Sequence, residues 1–260
     1  MCDVQNYADS RGIEIQKVGV KDVHLPFVIA TREGGRQSVQ GQVEMMVNLP
    51  RHYKGTHLSR FIEVINKWST KPISGGEIKN ILQELKEKLE AKRAEITLKF
   101  RYFLPIIAPV SKNKSYLDYI CEFTGILWDD HFNYFLQVEI PVISLCPCSK
   151  EISRGGAHNQ RANLKVKLRF RPGRFLWIED VVELLHESGS CPIYPLLKRE
   201  DEKFVTEKAY NNPKFVEDIL RDCVLALREV TAVKWFEVSC ESYESIHNHN
   251  AFAYHQEELV

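Results

Sequence analysis

Along most of this chain apolar and polar residues alternate with a period of two, and at a few places the period changes to about 3.6. Residues 13–20 (Ile-Glu-Ile-Gln-Lys-Val-Gly-Val) alternate as a half-buried strand does. Pro26 is expected to interrupt the next segment, Gly34-Gly35 marks a turn, and residues 42–49 give a second strand. Leu58, Phe61, Ile62 and Ile65 then return at helical spacing, closed by Pro72. Ser74 with Glu77 forms a capping box for a second helix, whose apolar stripe is Ile78, Ile81, Leu82, Leu85 and Leu89. Strands are predicted again over 96–102 and about 116–127, with Trp128-Asp-Asp-His131 as a hairpin turn.

The second half repeats this order. Tyr134, Leu136, Val138 and Ile140 line one face of a strand, followed by a long polar loop, 144–161. Residues 162–171 form the next strand, with Leu164, Val166, Leu168 and Phe170 on one face and Lys165, Lys167 and Arg169 on the other. The basic face reads as a solvated outer surface. A helix carries Ile178, Val181, Val182 and Leu185 and is expected to end at Gly189. After a polar segment, Asn212 caps and Pro213 opens a helix with Phe215, Val216, Ile219, Leu220, Cys223 and Leu227 inward. A last strand spans 233–242. The order β-β-α-α-β-β, then β-β-α-α-β, predicts an α+β protein of two architecturally similar modules, 1–130 and 131–260, with no visible sequence identity between them.

Composition narrows the classes. With 260 residues, 44% hydrophobic, the chain can bury a sizeable core. Thirty-five Lys and Arg balance thirty-five Asp and Glu, which argues against a bulk nucleic-acid binder. No apolar run is long enough to span a membrane, and the start lacks the basic and apolar regions of a signal peptide. The seven cysteines of such a chain are expected to be reduced and the protein cytoplasmic. Cys121, Cys223 and Cys240 fall within apolar patterns and read as buried thiols.

Chemistry concentrates in the loop Ser144-Leu-Cys-Pro-Cys-Ser-Lys-Glu-Ile-Ser-Arg-Gly-Gly-Ala-His-Asn-Gln-Arg161. Long connections between strands tend to be functional. Cys146, Cys148 and His158 suggest a divalent metal: thiolate and imidazole suit zinc or ferrous iron, and an added carboxylate admits manganese. The spacing is not that of a zinc finger. Taken alone, the cluster fits reduced cysteines in a tight turn beside a surface histidine equally well. Three further polar clusters are Lys54-Gly-Thr-His57-Leu-Ser-Arg60, the stretch from Ser190 through Glu202 to Asp218, and Glu241 to His249.

Cys-Pro-Cys-Ser-Lys-Glu-Ile-Ser followed by Gly-Ala-His-Asn-Gln-Arg, with Gly-Thr-His-Leu-Ser-Arg-Phe before and Leu-Leu-Lys-Arg-x-Asp-Glu-Lys after, resembles GTP cyclohydrolase type IB. Asp3-Val-Gln5, Val18-Gly-Val-Lys21, Asn212-Pro-Lys-Phe-Val-Glu-Asp218 and Ser245-Ile-His-Asn-His249 match as well, so the likeness covers nearly the whole chain. Leu58 stands where the family usually has Met, and Glu200 where it often has Pro; neither removes a polar group. The resemblance implies a tunnelling fold, two modules per chain, in a homotetramer. It implies conversion of GTP and water to 7,8-dihydroneopterin triphosphate and formate, the entry to folate and related pterins. Cys146, His158 and Glu202 resemble the ligands of one divalent metal ion per site (Zn, Mn or Fe(II)); Glu200 rivals Glu202 on sequence distance alone. Glu217 resembles the carboxylate that anchors the guanine. Cys148, Glu244 and His247 resemble further catalytic-site residues, for support or proton transfer. The triphosphate needs cations, for which Lys54, His57, Arg60, Arg161, Lys198, Arg199 and Lys203 are the supply.

Rival readings are separable. A nitrile reductase of the same fold would use a cysteine nucleophile and a nicotinamide cofactor, without an open metal. A scaffold protein would close the site with Cys146, Cys148, His158 and a carboxylate. A nucleotide deaminase would need H-x-E and P-C-x-x-C, which are absent.

Overall fold

The computed structural model describes Gln5 and residues 7–259; Cys2, and Asp3 and Val4 of the Asp3-Val-Gln5 motif, lie outside the described residues. The architecture is α+β, as the alternation predicts, and it divides into two compact units. The first comprises the chain up to Arg101 together with Glu122–Leu136, the second Tyr102–Cys121 with everything from Gln137 onward.

The first unit contains β1 (Ile15–Ala30), β2 (Arg36–Leu49), α1 (Leu58–Ser69), β3 (Pro72–Ile73) and α2 (Gly75–Leu89). It also holds parts of β4 (Arg93–Ile107), β5 (Lys114–Trp128) and β6 (His131–Leu145). Its strand order is β3-β1-β2-β4-β5-β6, antiparallel between β1, β2 and β4. The expected break at Pro26 does not occur. Pro26 pairs with Gln40 inside β1 and lies outside the Val28–Ile29 contact with β3, so on the β3 side its missing N–H leaves no ladder bond unmade. The irregularities come earlier instead, between Ile15 and Val18 and between Val20 and Val23, where Asp22 adopts φ 56.

Helix α2 starts where the capping box predicts: Glu77 accepts from the Ser74 N–H at 2.8 Å, and Ser74 Oγ accepts from Gly76. Its stripe, Ile78, Ile81, Leu82 and Leu85, has no exposed surface. Each such side chain contributes about 1.5–3 kcal/mol on full burial, which outweighs intrinsic propensity as the reason the helix stays formed. The stripe packs on β5 at Gly125, where a methyl group would fall 2.9 Å from Leu82 Cδ1 and closer still to Ile78 Cγ2. We expect Gly125→Ala to destabilise the protein by about 1–3 kcal/mol through overpacking, read as a lower denaturant midpoint at unchanged m-value. An unchanged midpoint would show that α2 yields at no cost. Asp129 and Asp130 form the predicted two-residue turn, Asp129 at φ 49, as such hairpins require.

The second unit adds α3 (Pro147–Ile152), β7 (Asn159–Phe170), α4 (Ile178–Leu185), β8 (Cys191–Pro192), α5 (Arg199–Asn211), α6 (Val216–Arg228), β9 (Val233–Ser242) and β10 (Ala251–Glu258). Its strand order is β10-β9-β7-β6-β5-β4, with β8 paired to β6. Helix α3 and strand β10 are elements the alternation reading did not predict, and three further helices depart from it. The segment between Ser190 and Asn212 is not loop but contains α5. That helix buries only Asp201 and Ala209, so it shows no apolar stripe. Helix α4 stops at Leu185 rather than Gly189. Helix α6 begins at Val216, not at Pro213: Asn212 Nδ2 is engaged with the Gly189 and Ser190 carbonyls, and Asp218 accepts from the Phe215 N–H.

A candidate metal centre and its neighbours

The loop after β6 is held shut by its own backbone. The Cys146 N–H donates to the His158 carbonyl at 3.1 Å, and the His158 N–H donates to Ser149 Oγ at 3.3 Å. Between them the chain makes the short helix α3, with Pro147 in its first turn and Cys146 Sγ accepting from the Ser149 N–H. Gly156, at φ 90, lets the chain turn back, and Ser153 Oγ donates to its carbonyl. This puts Cys146 and His158 side by side, although they lie far apart along the loop.

Four buried thiols differ from these. Burial pushes Cys121 well up, Cys191 and Cys223 up to about 11, and Cys240 up to about 12. They stay protonated at neutral pH, and burial closes them off from a ligand. Cys146 is half-buried and Cys148 is exposed in the first turn of α3. Of the six described cysteines, only these two are open to a ligand.

Glu202 stands exposed in the first turn of α5 beside Glu200, while Asp201 between them turns inward and is fully buried. Its carboxylate accepts from the Val110 and Ser111 N–H groups at 2.8 and 2.9 Å, from Ser111 Oγ, and from the Lys198 N–H at 2.9 Å. Burial alone would raise its pKa, but these donors outweigh it and hold the carboxyl well below the usual range. Asp201 thus fixes the start of α5 and, with it, the direction of Glu202. We expect Asp201→Ala to lower Tm by several degrees, because it leaves buried N–H groups without an acceptor; unaltered melting would show that the 108–111 turn does not anchor this helix.

The three segments converge on one apolar cluster. Leu145, Cys191 and Ala209 form its centre, and Ala157, Val205 and Tyr210 pack against it. Leu145 precedes Cys146, Ala157 precedes His158, and Val205 lies one turn beyond Glu202. Lys150 of α3 also donates to the Tyr210 carbonyl and sits 4.4 Å over the Tyr210 ring. The neighbours of Cys146, His158 and Glu202 thereby meet in one patch, and cysteine, histidine and glutamate side chains make a donor set that suits zinc, ferrous iron or manganese. Among the described residues, no three His, Cys, Asp or Glu side chains are already close enough to form a ligand group.

Glu217 lies exposed in the first turn of α6. Its neighbour Asp218 is occupied, capping Phe215 and pairing with Arg221 at 2.9 Å. Glu244 follows β9 and accepts from Gln160 Nε2 at 3.2 Å. His247, a little further along the chain, is exposed and stacked on His249 with ring centroids 5.1 Å apart. Arg161 lies in β7, its carbonyl taking the Tyr243 N–H; Lys198 precedes α5 and Lys203 lies within it, 3.9 Å from Glu207. Lys54, His57 and Arg60 belong to the first unit. There His57 precedes α1, and Arg60 donates to the Lys88 carbonyl at 2.8 Å. Sequence reasoning missed Ser149, Gln160 and Asp201. Each lies one or two positions from a flagged residue, but nothing in its type marks it as a support.

Three comparisons bear on this site. A family profile described as Type I GTP cyclohydrolase folE2 matches residues 1–253. GTP cyclohydrolase FolE2 of Geobacter sulfurreducens is 50% identical over 253 residues, covering 97% of this chain and 96% of that protein. The FolE2 proteins of Geotalea uraniireducens and Fervidobacterium nodosum are each 49% identical, covering 97% and 96% of this chain and 92% and 95% of theirs. Among solved structures, the uricase from Arthrobacter globiformis superposes with a TM-score of 0.58 over 94% of this chain and 93% of that one. At 7% identity that likeness concerns the fold alone, which is the tunnelling fold.

Proposed function

We propose a reaction course from one premise: the chain belongs to the FolE2 family of type I GTP cyclohydrolases. It is a GTP cyclohydrolase of the folate and pterin pathway. The proposal concerns how its residues do this. Water adds at the purine C8, the imidazole ring opens with loss of the C8–N9 bond, and a second water releases C8 as formate. Rearrangement of the ribose and loss of water then close the pterin ring, for a net consumption of one water. A divalent cation held by Cys146, His158 and Glu202 would supply Lewis-acid activation of water, which at neutral pH is a poor nucleophile. Glu217 accepts from the guanine N1–H and 2-amino group. His247, with Cys148 and Glu244 in support, delivers protons at N7 and N9 as general acid and base. Arg161, Lys198 and Lys203 are proposed cations for the triphosphate, with Lys54, His57 and Arg60 as the further supply.

The single observation that carries this reading is the Cys146–His158 backbone bond, which joins the main chains of the loop's two proposed ligands beside the helix bearing Glu202. Purified protein incubated with GTP and zinc, manganese or ferrous iron is expected to release formate and a pterin that fluoresces after oxidation. Release of neither product under any of these ions would overturn the course proposed. Because the donor set is of borderline softness, more than one ion is expected to support turnover.

A homotetramer is proposed as the working assembly. Sedimentation should give four chains per particle, with activity lost on dissociation; a fully active monomer would contradict it. Cytoplasmic residence is proposed from the reduced cysteines. Among the described residues no helix is long and apolar enough to cross a membrane.

A further inference from the structure

Gln160 makes a set of contacts that no part of the reaction course uses. It is the second residue of β7, two positions beyond His158. The β7–β9 ladder pairs Ala162 with Ser242, and continuing that register sets Gln160 opposite Glu244. The Tyr243 N–H to Arg161 carbonyl bond, 2.9 Å, carries the pairing to this point. The Gln160 amide is then fully engaged. Its Oε1 faces His158 Nδ1 at 3.0 Å and accepts from Ser245 Oγ at 3.3 Å. Its Nε2 donates to Ser242 Oγ at 3.1 Å and to Glu244 Oε1 at 3.2 Å. Two lone pairs and two N–H groups are all the amide has.

We infer that Gln160 is a positioning residue that transmits the orientation imposed by Glu244 to His158, fixing the imidazole as the Nδ1–H tautomer with its Nε2 lone pair directed to the metal. The inference rests on the assignment of His158 as a metal ligand under the proposed function. Each step is set by what the groups can donate. The carboxylate of Glu244 only accepts, so it selects the amide orientation that turns Nε2 toward it. The flipped amide would set two oxygens face to face and present its NH2 to His158. With the amide so fixed, Oε1 can only accept, and the imidazole nitrogen facing it must carry the proton. The remaining ring nitrogen is then the one with a free lone pair. Hydrogen bonds of this kind to a ligand's second nitrogen orient the ring and raise its basicity, and losing one typically costs about 10- to 100-fold in metal affinity. Glu244 thereby acquires a role separate from any proton transfer.

The test is metal affinity, measured on the full chain by competition with a chromophoric chelator for zinc. Gln160→Met keeps the length and removes every polar atom; it is expected to weaken affinity by about 10- to 100-fold. Glu244→Gln, which no longer selects the amide orientation, is expected to weaken it in wild type but to have no further effect on top of Gln160→Met. The exchanged pair, Q160E with E244Q, again places an acceptor toward His158 and a donor toward that acceptor, and is expected to recover most of the affinity. That recovery keeps the test decisive even where Gln160→Met folds poorly, since a merely structural role would not be rescued by it. His158→Ala separates the two levels of the argument. If His158→Ala loses the metal but Gln160→Met binds within about threefold of wild type, against the 10- to 100-fold loss expected when a ligand's supporting hydrogen bond is removed, this inference is overturned while the ligand assignment stands. If His158→Ala itself keeps the metal, the assignment falls and the inference falls with it.

Discussion

Chelated, metal-free protein is expected to show no GTP turnover, and Cys146→Ala and His158→Ala are expected to bring activity down by at least about 10³-fold, the several kcal/mol that metal activation of water contributes. The cause is local. Cys146 and His158 are joined by one backbone hydrogen bond, so each proposed ligand is preplaced by the other's main chain, not by its side chain. Truncation at Cβ therefore removes a donor while leaving the loop's Cys146–His158 and His158–Ser149 bonds in place. The variants should melt near the metal-free wild type, and metal content by elemental analysis should fall from about one equivalent per chain toward zero. Cys191→Ala is the contrasting control. Its thiol is buried and protonated, so that variant should keep its metal and lose only stability. Full-rate hydrolysis of GTP by metal-free protein would sink the hydrolytic reading.

The second large effect belongs to Glu217. Guanine presents two adjacent donors, N1–H and the 2-amino group, and one carboxylate can accept both. Adenine has an acceptor at N1 and no 2-amino group, so the same carboxylate would meet a lone pair. A site that buries its acceptor around such donors once the base is bound rejects a base lacking them by about 10⁴-fold or more, because its own charge is left unpaired. Glu217 is available for this. It stands exposed at the start of α6, while the capping and ion-pairing duties of that turn fall to Asp218. An acid in a helix's first turn is also favoured by the backbone dipole. Glu217→Gln keeps the shape but turns an NH2 toward a guanine donor. We expect kcat/KM for GTP to drop roughly 10²- to 10⁴-fold, the cost of one lost charge-assisted bond and one opposed donor. Metal content, melting and oligomeric state should stay as in wild type, and wild type should leave ATP untouched. Wild-type turnover by the Gln variant would reduce Glu217 to a helix-start acid and move base recognition to another carboxylate.

The parts of this protein legible in its sequence are those whose signal is local. Alternation located β2, β4, β5, β6, β7 and β9 because each strand has one buried and one less buried face, so burial is written into every second residue. The Ser74/Glu77 box located the start of α2 because capping is settled within a single turn of backbone. Helix α5 escaped because its one buried polar anchor, Asp201, is held by Val110 and Ser111, about 90 residues away. Pro26 misled because a proline breaks a strand only where the missing N–H is needed, and the neighbouring strand decides that. Strand β10, with alternate residues exposed, carries too weak a contrast to stand out.

For the site, residue types pointed to Cys146, Cys148 and His158, whose side chains suit a metal, while Glu202, Glu217, Glu244 and His247 were named by the resemblance to GTP cyclohydrolase type IB. What only the tertiary structure decided is which thiols are open to a ligand, which of three consecutive acids in α5 turns inward, and how His158 is held. Those answers depend on burial and on hydrogen bonds between segments far apart in the chain: Cys191 is closed off by the cluster around Leu145, Asp201 is turned inward by the 108–111 turn, and Gln160 is fixed across the ladder by Glu244. A one-dimensional pattern records how each residue would like to be solvated, but a donor's partner exists only once the chain has folded back on itself.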